Sequence, residues 1–429
     1  MRARREFNIK QIEYGAYYPG VFIIKLNKTL HENLQYDDFD DEDWRTLIHE
    51  YVHFLQDISL GHGYLYYFFK SQLFNIVINY IQGNHSNKID LPIRTEETGI
   101  KNASGKEMLL DFYEGDYHLF HFHHINCIKL ENDAIATEMV TEASDFNSEL
   151  KCVNIYYDDH TVPYHFGNTC VIESMAYLIE YYIFGASIRK QEFPYNSCET
   201  ICGFFCPELL KTPERIVMLA ELSLMHDDCG YAFYNYVKSC AELRLWDMID
   251  DDFKELCLGI MGKKWSIFKQ AFQKASQGID ILFPVSFPYA YVANMQLKVF
   301  LECGYNYRRI NPFFISDIFQ SKDPKEYFKS LIGVFELPML IDNTGRCYGK
   351  EGTQNIPVAD AVYSLLAEQS PDGCRLQSLC EDSGIEAYDK TLCSKAPWRQ
   401  CKSKSLCPVA VYFKGFCIDT KLYKWRKPQ

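Results

Sequence analysis

Runs of apolar positions at helical spacing dominate this chain, with a few short alternating or β-branched stretches between them. Tyr18 to Leu26 is dense in aromatic and β-branched residues and predicts a strand. An acidic run from Asp37 to Asp43 follows, where carboxylates suit the positive end of a helix and can cap its free N–H groups. The helix then covers about Trp44 to Leu60 and stops at Gly61, and a second is expected over Tyr64 to Ile81. Residues 82–107 are polar and turn-rich and read as an exposed excursion. Met108 to Tyr157 is mixed, with strands expected at Tyr117–His123 and Leu150–Tyr157. Asn168 to Phe184 predicts a helix, and helical patterns run from Pro213 to Phe319 with a break near Pro284 and Pro288. Asp342 to Pro357 reads as a loop, and the tail from Ala359 joins one short helix to a cysteine-dense stretch.

The pattern implies an α+β, predominantly helical fold. Three segments are expected: 1–190 as a core with inserted strands and loops, 191–340 as a helical domain, and 341–429 as a Cys-rich region. The apolar share of 47% with 24% charged residues fits a globular chain. A net charge of −13 argues against nucleic acid or an anionic membrane as partner. The apolar stretch Gly63–Ile81 carries Lys70, Gln72, Asn75 and Asn79, which a bilayer would not tolerate, so a buried amphipathic helix is expected. Residues 1–8 are basic but lead into no apolar signal core, and a cytosolic location is expected. Seventeen cysteines then suggest reduced thiols and metal ligands, not a disulfide framework.

The chemistry concentrates in His49-Glu50-Tyr51-Val52-His53. Four residues apart on a helix, the two imidazoles share one face and suit two nitrogen ligands on one zinc ion. Glu50 lies beside the first ligand, where its carboxylate can serve as general base on a water at the metal. Leu47, Ile48, Val52, Phe54 and Leu55 surround the polar residues, so the helix must be largely buried. Burying two imidazoles and a carboxylate costs free energy unless they bind something. A catalytic zinc needs a third protein ligand from another element. Gln56 and Ser59 stand where a His-x-x-Gly-x-x-His continuation would place its Gly and last His, and Asp57 lies on the same helix.

Glu173-x-x-Ala176-x-x-x-Glu180, within the Asn168–Phe184 segment, resembles the second ligand helix of the gluzincin class of zinc metallopeptidases. The resemblance covers two short helices. It implies a zincin-like core, Glu173 as third zinc ligand, a small residue at Ala176 for close helix packing, and Glu180 orienting a ligand. Ile172 and Ser174 depart from the Asn and Gly that flank the ligand in aminopeptidase-like members. Glu138 and Glu142 are the next candidates for third ligand. Such enzymes stabilise the oxyanion with a His or Tyr; His165, with Tyr164 and Tyr177 nearby, is the candidate here.

Two other clusters bear on metals. His118, His121, His123 and His124 read as a polar strand face, and Cys198, Cys202 and Cys206 as core thiols. In the tail, Cys374, Cys380, Cys393 and Cys407 lie among loop-forming residues and make a candidate second metal site, for zinc before iron–sulfur. The expected function is a zinc metallopeptidase acting on a polypeptide. The alternative is a catalytically silent zinc-binding scaffold that contacts a protein partner through its Cys-rich region.

Overall fold

The computed structural model describes residues 15–19, 22–30, 39–86, 88–99, 103–143, 148–158, 160–185, 192–349, 356–367, 373–382, 389–402 and 407–426. The molecule is predominantly helical with small sheets, an α+β arrangement. The helix Asp41–Ser59, called the histidine helix below, sits at its centre. Asp40 caps that helix, accepting hydrogen bonds from the Glu42 and Asp43 N–H groups, while Asp43 reaches back to Asp40 N. Asp41, Glu42 and Asp43 are therefore the first turn of the helix, as expected of the last carboxylates of the run, and Asp37 and Asp38 lie outside the described residues.

The helix ends one residue before Leu60, and Gly61 begins the next helix, Gly61–Gly83, instead of acting as a cap. Gly63 makes this corner possible: a Cβ there would lie 2.1 Å from the Asp57 carbonyl oxygen. Residues beyond Trp44 on the histidine helix are buried almost all round, because the Asn168–Phe184 and Pro288–Ile310 helices and a sheet pack against it. Gly304 lets the Pro288–Ile310 helix touch the histidine helix at the Ile58 carbonyl. The break expected near Pro284 and Pro288 separates the 33-residue helix Asp250–Leu282 from Pro288–Ile310.

The segment read as one strand is a hairpin, Gly15–Tyr18 paired antiparallel with Ile23–Leu26. Pro19 has no N–H to give a ladder, so the chain turns there. Ile23–Leu26 also pairs in parallel with Met339–Ile341, which pairs with Cys347–Tyr348 inside the segment expected to be a loop. Within residues 82–107 the expectation of an exposed excursion is also corrected. Lys88–Leu91 is a strand paired in parallel with Leu422–Trp425, with Ile89, Leu91 and Ile93 buried. The strand expected over Tyr117–His123 shrinks to Phe120–His121, whereas Lys151–Tyr157 is the centre of a three-stranded antiparallel sheet with Ile125–Asn132 and Tyr164–Phe166. One contiguous apolar core runs from Tyr17 to Tyr423. Among the described residues no helix is long and apolar enough to cross a membrane.

Candidate metal centre

Two helices build the centre. His49 and His53 project from one face of the histidine helix, and Glu173 faces them from Asn168–Phe184. All three are buried. Ala176, one turn beyond Glu173, has no exposed surface, which suits close helix packing. Glu173 Oε2 lies 3.5 Å from His49 Nε2 and 3.4 Å from His53 Nε2. Among the described residues this is the group of three metal-type side chains whose donor atoms all fall within 4.8 Å of one another.

The far nitrogen of each imidazole is held. Gln56 Nε2 donates to the Ile172 carbonyl at 3.2 Å, which leaves Gln56 Oε1 as the acceptor 2.9 Å from His53 Nδ1. Nδ1 therefore donates to Gln56, and Nε2 is the nitrogen that faces Glu173. Accordingly, His53 Nε2 is buried without a hydrogen bond. His49 Nδ1 lies 3.0 Å from Glu180 Oε2, and Glu180 in turn lies 3.5 Å from Arg45. Buried imidazole nitrogens that converge with a carboxylate, each ring fixed from behind, make a set of donors that a cation needs and a dry core avoids. The residues present therefore fit a metal ion.

The field of the site is negative. Burial disfavours a charged His49, but hydrogen bonds to Glu173 and Glu180 and the charge of Glu50 outweigh it and raise its pKa to about 10. In the metal-free protein His49 thus carries a proton at neutral pH that an arriving cation must displace. Zinc binding near pH 7 is expected to release a proton, and affinity should rise about tenfold per pH unit while His49 remains protonated. Calorimetry in buffers of different ionisation heat measures this. Truncating either rear support should also weaken the ion. Glu180→Ala or Gln56→Ala is expected to reduce zinc affinity about 10–100-fold in a competition titration against a chromophoric chelator.

Other candidates lie elsewhere. Glu138 and Glu142 are exposed on the Ala134–Ala143 helix. The His165 ring packs against Phe112, 5.0 Å between centroids, and the backbone N–H of His165 donates to Asp116 Oδ2; the residue does not line the cavity beside the centre. Tyr164 donates to the Asp116 and His118 carbonyls. His121 is exposed, 3.3 Å from Glu192, and Cys198, Cys202 and Cys206 are buried core thiols.

Several residues at the site carried no signal in the sequence reading. A cavity of about 220 Å³ opens beside His53 and Glu173, and its wall includes Tyr17, Tyr18, Asp57, His62 and Glu114. Tyr17 stacks near the His53 ring and donates to Asp57 at 2.7 Å. His62 lies 3.0 Å from Glu114; burial opposes its protonation, but Glu114 prevails and raises its pKa. Gln56 and Asp57, one turn after His53, are the two wall residues that helical spacing reaches from the sequence. No protein-family model, curated protein or solved structure matches this chain.

Proposed function

We propose that the protein is a zinc-dependent peptidase of gluzincin type, with zinc held by His49, His53 and Glu173. The observation that carries this reading is the convergence of His49 Nε2, His53 Nε2 and Glu173 Oε2 from two helices, with Glu50 next to the first ligand. Three protein ligands leave one position for water or substrate, the arrangement of catalytic sites and not of closed structural ones. Bound zinc supplies Lewis acidity, which makes a water acidic near neutral pH and polarises a carbonyl.

The chain's own residues supply the rest. Glu50 is buried beneath the hairpin: a Cβ on Gly15 would lie 3.5 Å from Glu50 Cγ. There its carboxylate takes the proton of the attacking water and hands it to the leaving nitrogen. Glu180 and Gln56 hold the two imidazoles in the tautomers that face the metal. A peptide as substrate is supported by the strand Gly15–Tyr18, an edge strand that pairs on one side with Ile23–Leu26 among the described residues. Tyr17 and Tyr18 of this edge line the cavity next to His53 and Glu173, so an extended chain added there would cross the metal.

The test is digestion of a defined peptide mixture by zinc-loaded protein, with new termini read by mass spectrometry. Cleavage that chelation abolishes and zinc restores is expected. A loaded, folded protein that cleaves nothing in that mixture or in the proteome of its own cell would favour the scaffold alternative.

A further inference from the structure

The cysteine-dense tail takes no part in the centre above, yet four of its thiols converge. Cys374, Cys380, Cys393 and Cys407 line one small cavity of about 10 Å³, closed by Leu376, Gln377, Pro408 and Val409. They arrive from three short helices and one turn. Cys374 precedes the helix Gln377–Asp382 that carries Cys380, Cys393 lies on Lys390–Lys395, and Cys407 caps Pro408–Gly415. Close approach of two of these segments depends on Gly373. It has φ +94°, a Cβ there would meet the Cys393 carbonyl oxygen at 2.6 Å, and Cys374 N donates to that same oxygen at 2.8 Å.

A hydrogen-bond donor points at one of the sulfurs: Gln400 Nε2 donates to Cys393 Sγ at 3.2 Å. Burial pushes all four thiols up, against the backbone N–H groups beside Cys374 and Cys407, so an ion must displace their protons on binding. Three of the four cysteines are buried, and none of the seventeen is in a disulfide. Cys401, between Cys393 and Cys407 in the chain, is not among the lining residues; its thiol lies 3.9 Å from the Ala410 carbonyl.

We propose that Cys374, Cys380, Cys393 and Cys407 bind a second metal ion, a single zinc in a closed tetrahedral site with a structural role. Four thiolates leave no position for water, which excludes catalysis at this ion. A cavity of about 10 Å³ suits one ion better than an iron–sulfur cluster. The sulfurs stand farther apart than the 4.8 Å spread of the first centre. Zinc draws them to about 3.8 Å from one another, the edge of a tetrahedron with Zn–S bonds of about 2.3 Å.

The role follows from the tail's construction. Helices of six, six and eight residues are too short to hold themselves together, and an ion fastens them. The fastening reaches the first centre through Arg375, the residue after Cys374. Arg375 lies 3.7 Å from Asp360, which also pairs with Lys70, and all three border the cavity beside His53. That link to substrate binding rests on the peptidase reading; the cysteine site does not.

Metal analysis of the full chain decides the matter. Wild type is expected to hold two zinc ions, and His49→Ala/His53→Ala to keep one that cobalt(II) replaces with sulfur-to-cobalt charge-transfer absorption. Cys393→Ser/Cys407→Ser should keep only the other. If that variant does not fold, titrating wild-type thiols with a mercurial, which should release one zinc per chain, replaces it. A histidine variant without zinc and without a thiolate band overturns the cysteine site while leaving the peptidase reading intact. Zinc lost only with the cysteines does the reverse.

Discussion

Glu50→Gln is expected to keep its zinc and to lose peptide hydrolysis by about a hundred- to ten-thousand-fold, the range for removing a general base. The replacement keeps the shape of the side chain, so the packing under Gly15 is preserved. An amide cannot accept the proton that the attacking water must shed. The loss should fall on kcat, with KM nearly unchanged, because the side chain is assigned to proton transfer and not to holding substrate. Initial rates on a quenched peptide, with zinc content measured on the same samples, give the comparison. Undiminished turnover in a variant that still binds zinc would remove Glu50 from the mechanism.

The largest expected effect on stability lies one layer behind the site. Arg308 is wholly buried and donates to Glu221 Oε1 and to the Ser59 and Pro312 carbonyls, each at 2.6 Å, and to Ser59 Oγ at 2.9 Å. Glu221 also accepts from the Ile315 and Ser316 N–H groups. This network ties the last residue of the histidine helix to two other helices. Arg308→Ala strips the counter-charge from a carboxylate with no access to water, and the expected cost is about 3–5 kcal/mol. Urea unfolding should show a lower midpoint at an unchanged slope. The double variant Arg308→Met/Glu221→Leu should recover much of the loss, because no buried charge is then left unpaired. A shift below about 1 kcal/mol in the single variant would mean that water reaches the pair.

What could be read from the sequence was local. His49 and His53 share a face because a helix repeats every 3.6 residues, and the bounds expected for Asn168–Phe184 match the helix found. Glu173 and Glu180 came from the resemblance of that second helix to the gluzincin ligand helix, not from periodicity alone. What escaped was non-local. Lys88–Leu91 looks polar and isolated because its partner strand, Leu422–Trp425, lies near the other end of the chain. The hairpin reads as one strand in the sequence because residues on both sides of Pro19 are equally aromatic and β-branched. Tyr17 and His62 reach the cavity only through the turn at Pro19 and the tight corner at Gly63, and no spacing rule encodes either. His165 is close to Glu173 in sequence, yet it stands on a strand with its ring against Phe112, so proximity along the chain misled.

The claim on which the rest depends is that a metal ion sits between the two ligand helices. Anomalous diffraction measured on either side of the zinc absorption edge, from crystals grown with zinc, tests it directly. The account predicts a peak about 2.0–2.2 Å from His49 Nε2, His53 Nε2 and Glu173 Oε2. Zinc-loaded crystals with no peak there, whatever is found among the cysteines, would contradict it.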